Sequence, residues 1–358
     1  MAPFTFDALA VPIVQAPMAG GASTPALAAA VSGAGGLGFL AAGYKPLDVV
    51  RTELEQLRAL LPDTVPFGIN VFAPPGHGAG TGDVAAYADT LRGEAERGDA
   101  ALGVPRWDDD RYAEKLDLLR EARVPVVSFT FGCPPAEDVE RLQRAGAAVW
   151  VTVTTPDEAD AASAAGADAV IVQGVEAGGH RGGFDDGAPG ELGLLALLQL
   201  VRATVGDRFP LVATGGIVTG HAVAAVLASG AVAAQLGTAF MLCPEAETAP
   251  AHRDAIGAGR APTALTRAFT GRTARGIVNR FLREHSADAP SAYPEVHHLT
   301  APVRAAARRR NDADGFHLFA GQAYNLAEPV PAAQLVARLA EEARTALGAA
   351  ALRLDGAG

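Results

Sequence analysis

Ala169-Val170-Ile171-Val172-Gln173-Gly174-Val175-Glu176-Ala177-Gly178-Gly179-His180-Arg181-Gly182-Gly183 is an apolar run that empties into a polar, glycine-rich loop. It reads as a buried strand ending in a site. The glycines let backbone approach a ligand closely and take positive φ, which residues carrying a Cβ resist. His180 is the one side chain there whose ordinary pKa suits proton transfer near neutrality. A lone loop histidine is equally at home in a solvated turn. Other glycine-rich strand ends in the chain favour a shared site.

Towards the N-terminus the same unit recurs. Val11–Gln15 reads as a first strand ending at Ala16-Pro17-Met18, after which Ser23-Thr24-Pro25 caps a helix through Val31. Gly36–Ala41 and Phe67–Phe72 follow as strands, with a helix from Leu47 to Leu61 between them and Asn70 lodged as a polar residue in the third strand. Residues 73–110 break the rhythm, beginning Pro74-Pro75-Gly76-His77-Gly78 and carrying a helix from Asp83 to Arg97. His77 reads as surface loop. A long insertion at the end of a strand commonly becomes a lid or wall. Tyr112–Ala122, Val124–Phe131, Glu137–Ala145 and Ala147–Val153 then alternate helix and strand, and Thr155-Pro156-Asp157 opens the next helix.

Beyond the opening stretch, Leu192–Val205 supplies a helix, Leu211–Gly216 the seventh strand and its turn, Gly220–Ser229 a helix and Val232–Thr238 the eighth strand. Eight alternations predict an α/β fold: a TIM (β/α)8 barrel with an inserted segment after strand three and a C-terminal capping segment. No Gly-x-Gly-x-x-Gly turn follows the first strand, which speaks against a dinucleotide fold. The predicted barrel takes residues 1–244 plus 328–358, and 245–327 form the smaller cap. Within and after the cap, Leu265–Arg272 reads as an extended pair with a turn, and Pro302–Arg310 and Ala332–Leu347 as helices.

A chain of 358 residues can bury a full core. It is 49% hydrophobic, with a mean hydropathy of +0.17, yet no apolar run reaches the ~18 residues needed to span a bilayer. Neither a membrane span nor a signal peptide is visible, so cytoplasmic residence is the expectation. Cys133 and Cys243 are too few and too isolated for a disulfide framework and read as small buried hydrophobes. A net charge of −11 argues against nucleic acid. The one basic cluster, Arg304–Arg310, reads as a solvated helical face, with an anionic ligand or a neighbouring subunit as alternatives. No His-x-x-x-His, carboxylate cluster of metal spacing or Gly-x-Ser-x-Gly elbow occurs, so no metal is expected.

TIM barrels often bind phosphate on the loops after strands seven and eight. Gly215-Gly216 and Gln235-Leu236-Gly237-Thr238 occupy those loops. A cofactor with one terminal phosphate, such as FMN, fits them, although glycines also serve plain tight turns. The same mouth receives Pro17, Met18, Asn70 and Gln173. Neutral amides can donate and accept without imposing charge; a satisfied buried amide is the lesser alternative for each, and ordinary core the alternative for Met18. Glu176 and Arg181 read as scaffolding of the loop.

Gln173–Gly183, with Gln15-Ala16-Pro17-Met18 and Ala213-Thr214-Gly215-Gly216-Ile217, resembles the nitronate monooxygenase family, formerly the 2-nitropropane dioxygenases. The resemblance runs from about Val11 to Asn325 and implies an FMN-dependent TIM-barrel oxidase. It implies that Ala16, Pro17 and Met18 lie against the isoalloxazine and that Asn70 and Gln173 hydrogen-bond its polar atoms. Gly178, Gly179, Gly215, Gly216, Gln235, Gly237 and Thr238 complete the implied cofactor site, and His180 is the implied catalytic residue. Phe319-Ala320-Gly321-Gln322 resembles a family segment near the flavin, where Gln322 reads equally as structural.

The implied reaction oxidises small alkyl nitronates, or nitroalkanes, with O2 to carbonyl compounds and nitrite. No nucleic-acid or membrane partner is expected, and a homo-oligomer is left open. The alternatives are an NAD(P)H-dependent flavin reductase of a quinone or enoyl thioester on the same fold, and a flavin-free barrel binding a phosphorylated metabolite.

Overall fold

The computed structural model describes residues 4–74 and 81–356, so His77 lies outside the described residues. Eight strands are parallel: β1 (Ile13–Gln15), β2 (Phe39–Ala41), β3 (Gly68–Phe72), β4 (Val126–Thr130), β5 (Ala148–Val153), β6 (Ala169–Gln173), β8 (Leu211–Thr214) and β9 (Ala233–Leu236). Three more, β7 (Gly179–His180), β10 (Thr263–Thr266) and β11 (Ala274–Ile277), form a separate antiparallel sheet. The helices are α1 (Pro25–Gly33), α2 (Leu47–Leu60), α3 (Thr81–Thr90), α4 (Arg92–Gly98), α5 (Tyr112–Glu121), α6 (Ala136–Arg144) and α7 (Pro156–Ala164). They continue as α8 (Leu194–Val205), α9 (Gly220–Ala228), α10 (Pro250–Ala258), α11 (Arg280–His285), α12 (Glu295–Arg309) and α13 (Ala332–Leu354).

The parallel strands lie in the order β1-β9-β8-β6-β5-β4-β3-β2. Gln15 N donates to Leu37 O (2.9 Å) and Leu37 N to Ile13 O (3.0 Å), which joins the first strand to the second and closes a TIM barrel. The predicted fold is the observed one. Thr24, Thr155 and Thr219 each cap a helix by accepting from a backbone N–H three residues on: Leu27, Glu158 and Ala222. Val14, Phe39, Trp150, Ile171 and Val212 fill the barrel interior. Phe6 stacks on Trp150 at 5.1 Å and Phe4 meets it edge-on, which extends that packing with residues before the first strand. The strands then deliver Asn70, Thr130, Gln173, Thr214 and Gln235 at their C-terminal ends.

The insertion after β3 holds two helices where one was expected, because the chain breaks at Leu91 between α3 and α4. Both pack on α12. The extended pair is β10 and β11, so the predicted Leu265–Arg272 covers half of one strand and the connection. α12 begins seven residues before the predicted Pro302. Proline is over-represented at a helix start because its missing N–H is unneeded there; here Pro302 sits inside the helix. Gly103 donates to Leu299 O (2.8 Å), and a Cβ on it would fall 2.1 Å from the His298 carbonyl. α13 runs past the predicted Leu347 to Leu354 and packs on α9 and α1. No helix among the described residues is long and apolar enough to cross a membrane.

Candidate functional site

A cavity of about 430 Å³ opens over the C-terminal ends of the barrel strands. His180 lines it, and so do Ala16, Pro17, Met18, Asn70, Gln173, Gly178, Gly179, Gly215, Gly216, Gln235, Gly237 and Thr238. Residues read as one site from scattered turns therefore share one cavity.

Each turn has its own fastening. Gln15, fully buried, accepts from Phe39 N (3.0 Å) and donates to Ser23 Oγ (3.0 Å), which accepts from Met18 N (2.8 Å). That chain of bonds shapes the Ala16-Pro17-Met18 turn. In the central loop, Gln173 Oε1 accepts from Arg181 (3.1 Å) and Gly182 N (2.9 Å), while Gln173 Nε2 donates to His180 O (3.1 Å). Buried Arg181 also donates to the carbonyls of Gly174 (2.6 Å) and Gly190 (2.8 Å). Glu176 accepts from Leu194 N at the start of α8 (3.0 Å). Its carbonyl accepts from Gln322 N (3.0 Å), and the Gln322 side chain is exposed. Gly178 permits a close approach, since a Cβ there would fall 2.4 Å from the backbone at Ala320–Gly321. Gly179 needs its φ of +77° instead, for nothing lies within 4 Å of where its Cβ would be.

His180 pairs with Ala274 across the β7–β11 ladder. Its Nε2 lies 2.9 Å from Thr270 Oγ1, and its ring meets Phe131 (5.5 Å) and Phe319 (5.2 Å) edge-on. Burial, reinforced by the charges of Arg272 and Arg304 and opposed by Asp186, pulls its pKa down to about 3. The imidazole is neutral at physiological pH: a hydrogen-bonding group and a weak base.

A capping segment was expected, but the side chains with which it lines the cavity were not read from the sequence. α12 turns His297, Ala301, Arg304, Ala305 and Arg308 towards the cavity, a stripe at i, i+4, i+7, i+8 and i+11. Arg304 is buried and Arg308 half-buried; only Arg309 and Arg310 fit the expected solvated face. The signal was that spacing, read back through the histidine and the small alanines. Tyr44, at φ +66°, stacks on His297 with ring centroids 4.2 Å apart. Its backbone N donates to Asp110 (3.0 Å), which pairs with fully buried Lys115 (2.7 Å). Burial holds His252 near pKa 4, His297 near 2 and His317 well below the ordinary histidine value.

Away from the cavity, Glu94 of α4 and Glu284 and His285 of α11 lie close enough to share an ion. Glu94 is already taken by Arg280 (2.9 Å), Arg97 (2.7 Å) and His285 (3.0 Å). Burial alone would raise its pKa, but Arg280, His285 and Arg97 hold it well below the usual carboxylate range. Cys243 is buried and Cys133 half-buried, and neither lines the cavity.

Residues 3–342 match the model of the nitronate monooxygenase family. The chain belongs to that family. It is 42% identical to a nitronate monooxygenase of Pseudomonas aeruginosa over 348 residues, covering 93% of this chain and 96% of that one. A nitronate monooxygenase of Paraburkholderia phytofirmans is 39% identical, covering 94% and 93%. Among solved structures, nitroalkane oxidase from Streptomyces ansochromogenes superposes with a TM-score of 0.91 at 53% identity, over 96% of this chain and 99% of that one. FabK from Thermotoga maritima is a more distant relative, at 29% identity and a TM-score of 0.73 over 98% and 97%. The protein is thus an oxidoreductase of a flavin-dependent family.

The cavity's donor set fits a flavin. Gln235 Nε2 is buried and has no partner among the described residues. The Asn70 amide N–H groups are used on Ser128 Oγ (3.0 Å) and Thr130 Oγ1 (2.9 Å), which leaves its oxygen as an acceptor. One orphan donor and one acceptor in a cavity walled by Ala16, Pro17, Met18 and glycine backbone suit a flat, neutral heteroaromatic ring.

Proposed function

We propose that the protein carries FMN and, in the cytoplasm, oxidises small alkyl nitronates with O2 to a carbonyl compound and nitrite. FMN, when bound, supplies the redox chemistry. In this reading a barrel of residues 1–244 plus 328–358 seats the cofactor, and the cap of 245–327 faces the substrate. Backbone N–H groups at Gly215, Gly216, Gly237 and Thr238 hold the phosphate. Ala16, Pro17, Met18, Gly178 and Gly179 form the apolar seat of the ring. Gln235 Nε2 donates to it, the Asn70 oxygen accepts, and Gln173, its oxygen engaged by the loop, keeps one N–H to offer. Two well-separated cysteines without a disulfide suit a reducing compartment.

The observation that carries this reading is His180 at the same cavity as the Gly215 and Gly237 turns. A neutral His180 donates a hydrogen bond to the nitronate oxygens, orienting a carbanion equivalent that needs no deprotonation. Its low basicity favours nitronates over neutral nitroalkanes. The likeness to a nitroalkane oxidase supports a second reading, in which His180 also removes the α-proton.

The purified protein should show a flavin absorption spectrum, release FMN on denaturation, and form nitrite from a nitronate under air. A colourless protein that cannot be reconstituted with FMN, or a yellow one that makes no nitrite, overturns the proposal. Rapid anaerobic bleaching by NADH or NADPH points to a reductase instead.

A further inference from the structure

The charged side chains lining the cavity are Arg304, Arg308 and Glu247, and Glu247 is exposed at the rim. Arg304 is only 8% exposed. Its Nε donates to Thr300 Oγ1 (2.9 Å) and one amino nitrogen to His297 O (3.0 Å). Its other neighbours are Nδ1 of His317 (3.3 Å) and Nδ1 of His297 (3.4 Å), both on rings kept neutral by burial. No carboxylate pairs with it among the described residues.

The other buried arginines differ. Arg181 spreads its donors over loop carbonyls, and Arg272 donates to the carbonyls of Arg181 and Gly183 while its guanidinium lies 4.2 Å over Phe131. Those two hold backbone in place, as does Arg275, also buried, whose Nε donates to Val175 O (2.9 Å). Arg304 instead brings a positive charge to a cavity wall where Ala301 and Ala305 leave room beside it. A buried cation without a counterion is unfavourable unless an anion completes it. A guanidinium N–H makes a charge-assisted hydrogen bond to an anionic oxygen, roughly twice as strong as a neutral one.

Resting on the nitronate reading above, we propose that Arg304 is the anion-binding residue of the substrate pocket. It offers its remaining N–H and its charge to an oxygen of the nitronate group and thereby selects the anion over the neutral nitroalkane. Arg308, one turn further on, is tied to Gly20 O (2.9 Å) and flanks Phe316, a rim position suited to drawing anions inward.

The test uses the flavin-loaded protein and nitrate, a planar oxyanion that cannot turn over. Nitrate binding is followed by calorimetry and by the shift of the flavin spectrum. Arg304→Met should weaken nitrate binding and raise KM for a small nitronate by roughly tenfold or more, the scale of a charge-assisted hydrogen bond. Flavin content should be unchanged, and Arg304→Lys should recover most of both losses. Arg304→Gln, which keeps donors for Thr300 and the His297 carbonyl, serves if the methionine variant does not fold. Nitrate affinity and KM within about twofold of wild type in the neutral variants would overturn the proposal. So would loss of flavin alongside nitrate, since Arg304 would then serve the cofactor phosphate. Failure of the wild type to make nitrite tests the nitronate reading separately, because nitrate binding needs no turnover.

Discussion

On the barrel side of the cavity, every polar side chain the strands deliver is neutral: Asn70, Thr130, Thr152, Gln173, Thr214 and Gln235. On the cap side, α12 and the residues packed on it bring two arginines and the neutral imidazoles of His252, His297 and His317. The barrel offers fixed dipoles and glycine backbone, which suit a large uncharged ring. The cap offers positive charge in an apolar setting, which suits a small anion. His180 belongs to a barrel loop by sequence and to the cap by pairing, so it sits where the two chemistries meet.

That division can be broken most sharply at the junction. His180→Asn should retain FMN and lose on the order of 10²- to 10⁴-fold in kcat/KM on nitronates; unchanged kinetics on nitronate and nitroalkane alike would remove His180 from the chemistry. Next in size is Gly178→Ala, whose Cβ would meet the Ala320–Gly321 backbone at 2.4 Å. Overpacking there should destabilise the protein by about 2–3 kcal/mol, with flavin released early in thermal melts. A Tm equal to wild type would show that barrel loop and cap are loosely joined.

Acid should act on the cap first. Burial lowers the pKa values of His180, His252 and His297 to about 3, 4 and 2, below the unfolded value near 6.5. Between those values and 6.5 the unfolded chain binds more protons, so stability falls as pH falls. By pH 5.5 the loss should be roughly 1 kcal/mol per histidine, seen as a Tm several degrees lower than at pH 7.5. A flat Tm over that range would mean that the cap is wet. The smallest effect is on the barrel side. Gln235→Leu removes an unpartnered buried donor, so the flavin-free protein should be no less stable than wild type. FMN affinity should nonetheless drop by about 1–2 kcal/mol, measured by fluorescence titration.

The barrel was legible because its units repeat. Apolar runs such as Ala169–Val172 and Leu211–Ala213 announce strands on their own, and threonine caps mark the starts of α1 and α7. The glycine turns and His180 were legible for the same reason, since a TIM barrel brings its strand ends to one rim. The cap has no such repeat to set the phase. Pro302 was read as a start when it is interior, which hid the turns of α12 carrying His297 and Ala301 and made Arg304 look solvated. β7 is two residues long, too short for any periodicity, and exists only because β11 lies beside it.

That two-residue strand carries a consequence for synthesis. The backbone partners of Gly179 and His180 are Arg275 and Ala274, which leave the ribosome after every barrel strand is complete. A nascent chain can therefore close its barrel while the histidine still lacks its permanent anchor. The histidine's backbone is therefore fixed in the ladder only by residues from the final quarter of the polypeptide.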